Sequence, residues 1–256
     1  MRVASAQVLI VGGDPVGNLE RAVVAVRDAT KLGADFVVLP ECSNFGWADS
    51  SAIKNAVEVQ DDPFVIGLQN LAKELGIYIA VGFVEKLADA LFNSAVLIDA
   101  QGQIVIHHRK INELDFAKEI YSTGSDVFAV DTPFGKVGLM ICADALSGND
   151  MVVERLVELG TDVILSPSAW AVPPTHDNTV NPYGSLWVDA YRKGLGSSKS
   201  WIVATSNVGV MTDSVWTGFP CIGNSIAIGP AASDLIVSPF GQSAVHIELI
   251  EIRQTR

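Results

Sequence analysis

An α/β fold with two packed sheets and helices outside them is predicted by three observations. Strand-like and helical stretches alternate from Met1 to Gly76, helix-free strand patterns fill the run from Ile77 to His108, and alternation resumes near Asp150. At 256 residues, with 49% apolar and 18% charged side chains, the chain has the length and composition for a large buried core, which excludes disorder. No linker interrupts it, so one domain over residues 1–256 is expected. A formal net charge of −12 argues against a nucleic-acid surface or an anionic membrane as partner.

The elements follow in order. Val3 to Val11 reads as a buried strand; its apolar core is too short, and too interrupted by Gln7, for a signal peptide. Turn residues Gly12 to Pro15 precede a helix capped by Asn18 and running to about Leu32, with Ala22, Val23, Val26 and Ala29 on one face. Gly33 ends it, and Phe36 to Leu39 forms the next strand. Pro63 opens a helix that closes at Leu75, with Gly76 as its C-cap. Strands are expected at Ile77 to Val84, Leu91 to Ile98 and Ile104 to His108, then at Val127 to Val130 and Lys136 to Ile141. A helix from Asp150 to Leu159 leads into the strand Val163 to Leu165. Ser166 to Gly184, rich in Pro, Ser, Thr and Asn, reads as a long functional loop. A helix at Leu186 to Lys193 and strands at Trp201 to Ala204, Ser225 to Ile228, Leu235 to Val237 and Ala244 to Ile250 complete the chain.

Three apolar strands each end on a chemically distinct residue: Glu41 after Asp35-Phe-Val-Val-Leu-Pro, Lys110 after Ile104-Val-Ile-His-His-Arg, and Cys142 after Lys136-Val-Gly-Leu-Met-Ile. Brought together, they would supply a base, an oxyanion stabiliser and a nucleophile. A thiol titrates near 8.5 and needs a partner to take its proton at neutral pH. Lys110 and the backbone N–H of Ala143 are the candidate oxyanion donors. Each residue also has an ordinary explanation: Cys142 as a small buried hydrophobe, Glu41 as a loop carboxylate, Lys110 as an edge charge. Trp170 is either a pocket wall or core.

Other chemistries fit less well. His107 and His108 are adjacent on a strand and face opposite ways, so they cannot share a metal, although either could serve Cys142 as a papain-like base. Ser166 and Ser168 lack a nucleophile-elbow pattern, and Gly12-Gly13 lacks a phosphate-binding spacing. Cys42, Cys142 and Cys221 form neither a metal pattern nor a disulfide framework, which points to a reducing cytoplasm. No apolar run approaches the roughly 18 residues that span a bilayer.

The ordered set Leu39-Pro-Glu41, His108-Arg-Lys110 and Gly138-Leu-Met-Ile-Cys-Ala-Asp144 closely resembles the nitrilase superfamily of carbon–nitrogen hydrolases. Ala4-Ser-Ala-Gln7, Ile164-Leu-Ser-Pro-Ser-Ala-Trp170, Ser206-Asn-Val-Gly209 and Gly223-Asn-Ser-Ile-Ala-Ile-Gly-Pro230 extend the likeness over nearly the whole chain. The resemblance implies a four-layer α-β-β-α sandwich, catalytic Glu41, Lys110 and Cys142, and a second glutamate. Glu119, ahead of Ile-Tyr-Ser-Thr-Gly124, matches the pattern for that glutamate, and Glu113 is its rival by proximity to Lys110. It implies a cofactor-free, metal-free amidase acting on a small linear amide through a Cys thioester, in a homodimer or larger homo-oligomer. N-carbamoyl compounds, nitriles, and a scaffold role without turnover are the alternatives. Ala143 and the run Leu146 to Asp150 depart from the family's aromatic residue and Arg-Phe-Pro-Glu stretch, which weakens the carbamoylase subtype; Ala143-Asp144 in place of Trp-Glu weakens the nitrile-cleaving one. Ser197-Ser198 replaces an acidic-Asn pair on the late helix.

Overall fold

A computed structural model describes residues 1–146 and 151–252. Along β1 (Arg2–Gln7) every residue from Val3 onward is buried, with Val3 in one core cluster and Ala4 and Ala6 in another. Period-two side-chain direction therefore places β1 in a sheet covered on both faces.

The chain continues through α1 (Pro15–Lys31), β2 (Phe36–Val38), the single turn α2 (Ala52–Asn55) and α3 (Pro63–Leu75), then β3 (Tyr78–Leu87), β4 (Ala90–Ile98) and β5 (Ile104–Arg109). Next come β6 (Ala129–Thr132), β7 (Gly135–Leu139), α4 (Val152–Glu158), β8 (Val163–Ser168), α5 (Ser185–Leu195) and β9 (Trp201–Ser206). β10 (Val208–Val210), β11 (Pro220–Ile222), β12 (Ile226–Ile228), β13 (Leu235–Val237) and β14 (His246–Glu251) follow. One six-stranded sheet has the order β14-β1-β2-β3-β4-β5, the other β13-β12-β9-β8-β7-β6, and β10 pairs with β11 as a separate ribbon.

The layers are fixed by which faces are apolar. Val26 and Ala29 of α1, with Phe64 and Leu68 of α3, pack against Val37, Ile79 and Val81 on the outer face of the first sheet. Leu156 of α4 and Tyr191 of α5 belong to the larger cluster, which also holds Val38 of the first sheet and Leu139, Leu165 and Val203 of the second. Between the sheets the Ser5 and Thr205 hydroxyls hydrogen-bond at 2.7 Å, tying β1 to β9. The result is the expected α-β-β-α arrangement.

Local differences from the sequence reading have physical causes. The first helix starts at Pro15 rather than after Asn18, because Asp14 caps it by accepting from the Gly17 N–H and Pro15 occupies its first turn. Asn18 is instead buried within α1, where its side chain clamps Val11 through both N–H and C=O and donates to the Asn44 carbonyl. β8 runs on through Ser166, Pro167 and Ser168, all read as loop from their polarity. They are buried because β9 pairs with them residue for residue. The β10–β11 ribbon is only three residues per strand, too short for a period-two pattern. Asp150, the expected start of the fourth-layer helix, lies outside the described residues, as does all of the departure run Leu146 to Asp150 except Leu146.

Strand direction positions the site. β2 and β3 are parallel, and β5 runs with them because β4 is antiparallel to both β3 and β5. β7, β8 and β9 are likewise parallel. The ends of β2, β5 and β7 carry Glu41, Lys110 and Cys142.

Candidate active site

Glu41 is placed by the backbone on either side of it. Leu39 donates to the Ala80 carbonyl at 2.8 Å and Glu41 itself to the Ser168 carbonyl at 3.1 Å, so the post-β2 segment bridges the two sheets. β3 passes so close beneath it that a Cβ on Gly82 would lie 2.6 Å from the Glu41 Cα, and only glycine fits. The Glu41 carboxylate is 1% exposed and receives hydrogen bonds from Asn93 Nδ2 at 2.6 Å and Lys110 Nζ at 2.8 Å.

Lys110 leaves β5 with its N–H on the Asn93 carbonyl, and its ammonium lies 2.8 Å from Glu41 and 3.4 Å from Glu113. Burial works to lower its pKa, but the two carboxylates outweigh that and hold it well above the ordinary lysine value. Lys110 is a fixed cation. Burial raises the Glu113 carboxyl, as do the nearby charges of Glu41 and Asp144, against the pull of Lys110. Neither Glu113 oxygen has a hydrogen-bond partner among the described residues, so the ion pair with Lys110 is what holds it. Glu119 is exposed on the 3₁₀ turn Asp115–Glu119 and does not reach this cluster. The structure thus corrects the choice of second glutamate: Glu113 occupies the place beside Lys110.

Cys142 has φ +42°, a left-handed backbone that costs a non-glycine residue about 1–3 kcal/mol. Asp144 holds the turn in that shape. Its Oδ2 accepts from the Ile141 N–H at 2.9 Å and pairs with His108 Nε2 at 2.8 Å, while Oδ1 accepts from the N–H groups of Ile111 and Asn112 at 2.9 and 2.8 Å. One buried carboxylate therefore fastens the chain after Lys110 to the chain before Cys142. His108 is committed to Asp144, and His107 lies against Glu85 on the other face of β5, so neither stands beside Cys142 as a papain-like base. The Cys142 N–H bonds Ser166 Oγ at 3.2 Å. Burial, then the Glu41 charge, push the Cys142 thiol far up; Lys110 and the Ala169 N–H pull the other way.

Glu41, Lys110 and Cys142 open onto one cavity of about 190 Å³, whose wall includes Ala143 and Trp170. Trp170 is both wall and core: it is 1% exposed, stacks on Trp187 at 5.1 Å, and its Nε1 finds no partner among the described residues. Trp47 comes from the segment after β2, pinned by the buried Asn44 side chain, which bonds Asp62 and both the N–H and C=O of Val84. Trp216 arrives from the turn between β10 and β11 and lies 5.0 Å from Trp47. The sequence reading did not single out Trp47, Trp216, Asn93 or Asp144 as site residues. Asp144, two positions after Cys142, was the one with a signal.

A family model described as carbon–nitrogen hydrolase matches residues 2–253. The chain belongs to the carbon–nitrogen hydrolase family. This places it in the nitrilase superfamily, among enzymes acting on non-peptide carbon–nitrogen bonds. The hydrolase is similar to a nitrilase of Pyrococcus abyssi, 28% identical over 95% of this chain and 87% of that one. It is 33% identical to an omega-amidase of Bos taurus over 60% of this chain, a match that spans only 58% of the bovine protein. Among solved structures it resembles an amidase from Nesterenkonia sp. AN1, with TM-score 0.80 and 18% identity over 99% of this chain and 93% of that chain. A carbon-nitrogen hydrolase from Helicobacter pylori G27 gives TM-score 0.82 and 20% identity over 96% and 87% of the two chains. At such identities the structural likeness speaks for the fold of this hydrolase. Among its described residues no helix is long and apolar enough to cross a membrane.

Proposed function

We propose that this hydrolase is a thiol amidase that converts a carboxamide to its carboxylic acid and ammonia. The observation that carries the reading is the Glu41–Lys110 pair, 2.8 Å apart and buried, opening with Cys142 onto a single cavity. Burial and the Glu41 carboxylate both favour the protonated thiol, so its proton must leave as it attacks. Glu41 takes that proton while Sγ bonds the amide carbon. Lys110 and the Ala143 N–H, on the 3₁₀ turn that begins at Cys142, hold the oxyanion. Collapse breaks the carbon–nitrogen bond, Glu41 returns the proton to the departing nitrogen, and ammonia leaves a thioester. Water then gives a proton to Glu41 and attacks the thioester, and the proton passes to the departing sulfur. Glu113, absent from the cavity wall, acts through Lys110 by keeping it charged and in place. A variant of the Nesterenkonia amidase takes acrylamide by Michael addition at its active-site cysteine, which supports a reactive thiol in this fold.

Ammonia release from a panel of primary amides tests the proposal. Release by the native protein that vanishes in Cys142→Ala is the expected result; equal release by a clean preparation of the variant would remove the thiol from the mechanism.

A further inference from the structure

The wall of the catalytic cavity is unusually apolar for a site built around three ionisable groups. Beyond Glu41, Lys110 and Cys142, it is lined chiefly by Trp47, Trp170, Trp187 and Trp216 and by aliphatic chains; the hydroxyl of the remaining aromatic residue, Tyr183, already accepts from Trp187 Nε1 at 2.8 Å. Lys110 is the only cation in this wall among the described residues, and it is already shared by Glu41 and Glu113. We propose that the acyl group this site takes is uncharged and apolar, with the bulk of a phenyl ring or a branched alkyl chain. The inference rests on the amidase reading and names its substrate class.

Charge and size argue for it separately. A carboxylate on the acyl chain would lose its water against a mainly carbon wall, with no unshared cation among the described residues to replace that water. Glu41 and Glu113 add repulsion at the inner end. A cationic group on the acyl chain would lie close to the fixed Lys110 ammonium and be repelled by it. A neutral apolar group meets neither penalty. As for size, a dry engineered cavity of about 150 Å³ binds benzene, and this one measures about 190 Å³. An acetyl group would leave most of that wall without contact, whereas a phenylpropanoyl or 4-methylpentanoyl group would cover it.

The test compares kcat/KM for 3-phenylpropanamide and 4-methylpentanamide with acetamide, with anionic glutaramate and with cationic 4-(trimethylammonio)butanamide. The neutral bulky amides should exceed acetamide at least tenfold and both charged amides at least a hundredfold. Acetamide or either charged amide within threefold of the bulky neutral pair would overturn the inference. A second readout does not need turnover: the rate at which Cys142 is alkylated by iodoacetanilide and by iodoacetate, each divided by its rate with glutathione and assigned by comparison with Cys142→Ala. A tenfold or larger preference for the neutral aryl reagent supports the inference, and parity or an anion preference overturns it. If no amide turns over while that preference stands, the amidase reading fails and the apolar-ligand assignment survives; turnover led by glutaramate does the reverse.

Discussion

At Cys142 two neighbours of opposite charge compete for one proton. Burial raises the thiol pKa first and Glu41 raises it further, while Lys110 opposes both. Replacing Glu41 by Gln removes the negative charge and leaves the positive one, so the thiol pKa should fall even as the base disappears. Glu41→Gln is therefore expected to shift the pH profile of Cys142 alkylation to lower pH while amide kcat/KM drops about 10²–10⁴-fold. A fall in both reactivities would mean that Glu41 serves only to hold the structure. The two candidate second glutamates separate just as clearly. Glu113→Gln should lower kcat at least tenfold through Lys110, and Glu119→Gln, on an exposed turn, should stay within twofold of the native rate. The three strand-end residues were legible in the sequence because each closes an apolar run. Glu113 was legible only as the rival to Glu119, because what turns it back toward Lys110 is Asp144, which captures the Ile111 and Asn112 N–H groups from more than thirty residues away.

Secondary-structure elements here are joined by buried carboxylates whose partners lie on other strands. Asp144 links the end of β5 to the end of β7, and losing one partner of such a pair leaves unpaired polar groups in the core. Asp144→Asn should therefore cost about 3–5 kcal/mol in urea unfolding and lower kcat as well, since the same bonds set the Cys142 turn. Glu85 of β3 plays a comparable part. Burial pushes its carboxyl up, but hydrogen bonds from His107, Arg109 and Ser94 outweigh that and lower it from 4.5 to about 2. Because the folded pKa is depressed, this contribution is complete above about pH 4.5 and is lost as pH falls toward 2. Glu85→Gln should lower stability at neutral pH by at most about 3 kcal/mol and flatten the acid branch of the stability profile. Element type was readable wherever periodicity was long, as in α3 with Pro63 at its start and Gly76 at φ +66° at its end. It failed at Ser166 to Ser168, where pairing with β9 overrides polar composition.

Across the whole molecule the site is a product of chain order rather than of any segment. Strands distant in sequence deliver Glu41, Lys110 and Cys142 to one end of two facing sheets, and segments after β2, within the β8–α5 connection and between β10 and β11 close the aromatic wall over them. That wall was partly visible as a long loop containing Trp170, but Trp216 carried no sequence signal, because its approach to Trp47 depends on how a three-residue ribbon folds back. The central claim is that the buried Glu41, Lys110 and Cys142 cleave an amide through a thioester. It is tested most directly by partitioning in hydroxylamine, with an amide and a methyl ester of the same acyl group as substrates. A shared thioester predicts the same ratio of hydroxamate to acid from both substrates, and no product from either with Cys142→Ala. Ratios that differ between the two, or product that persists without the thiol, would contradict it.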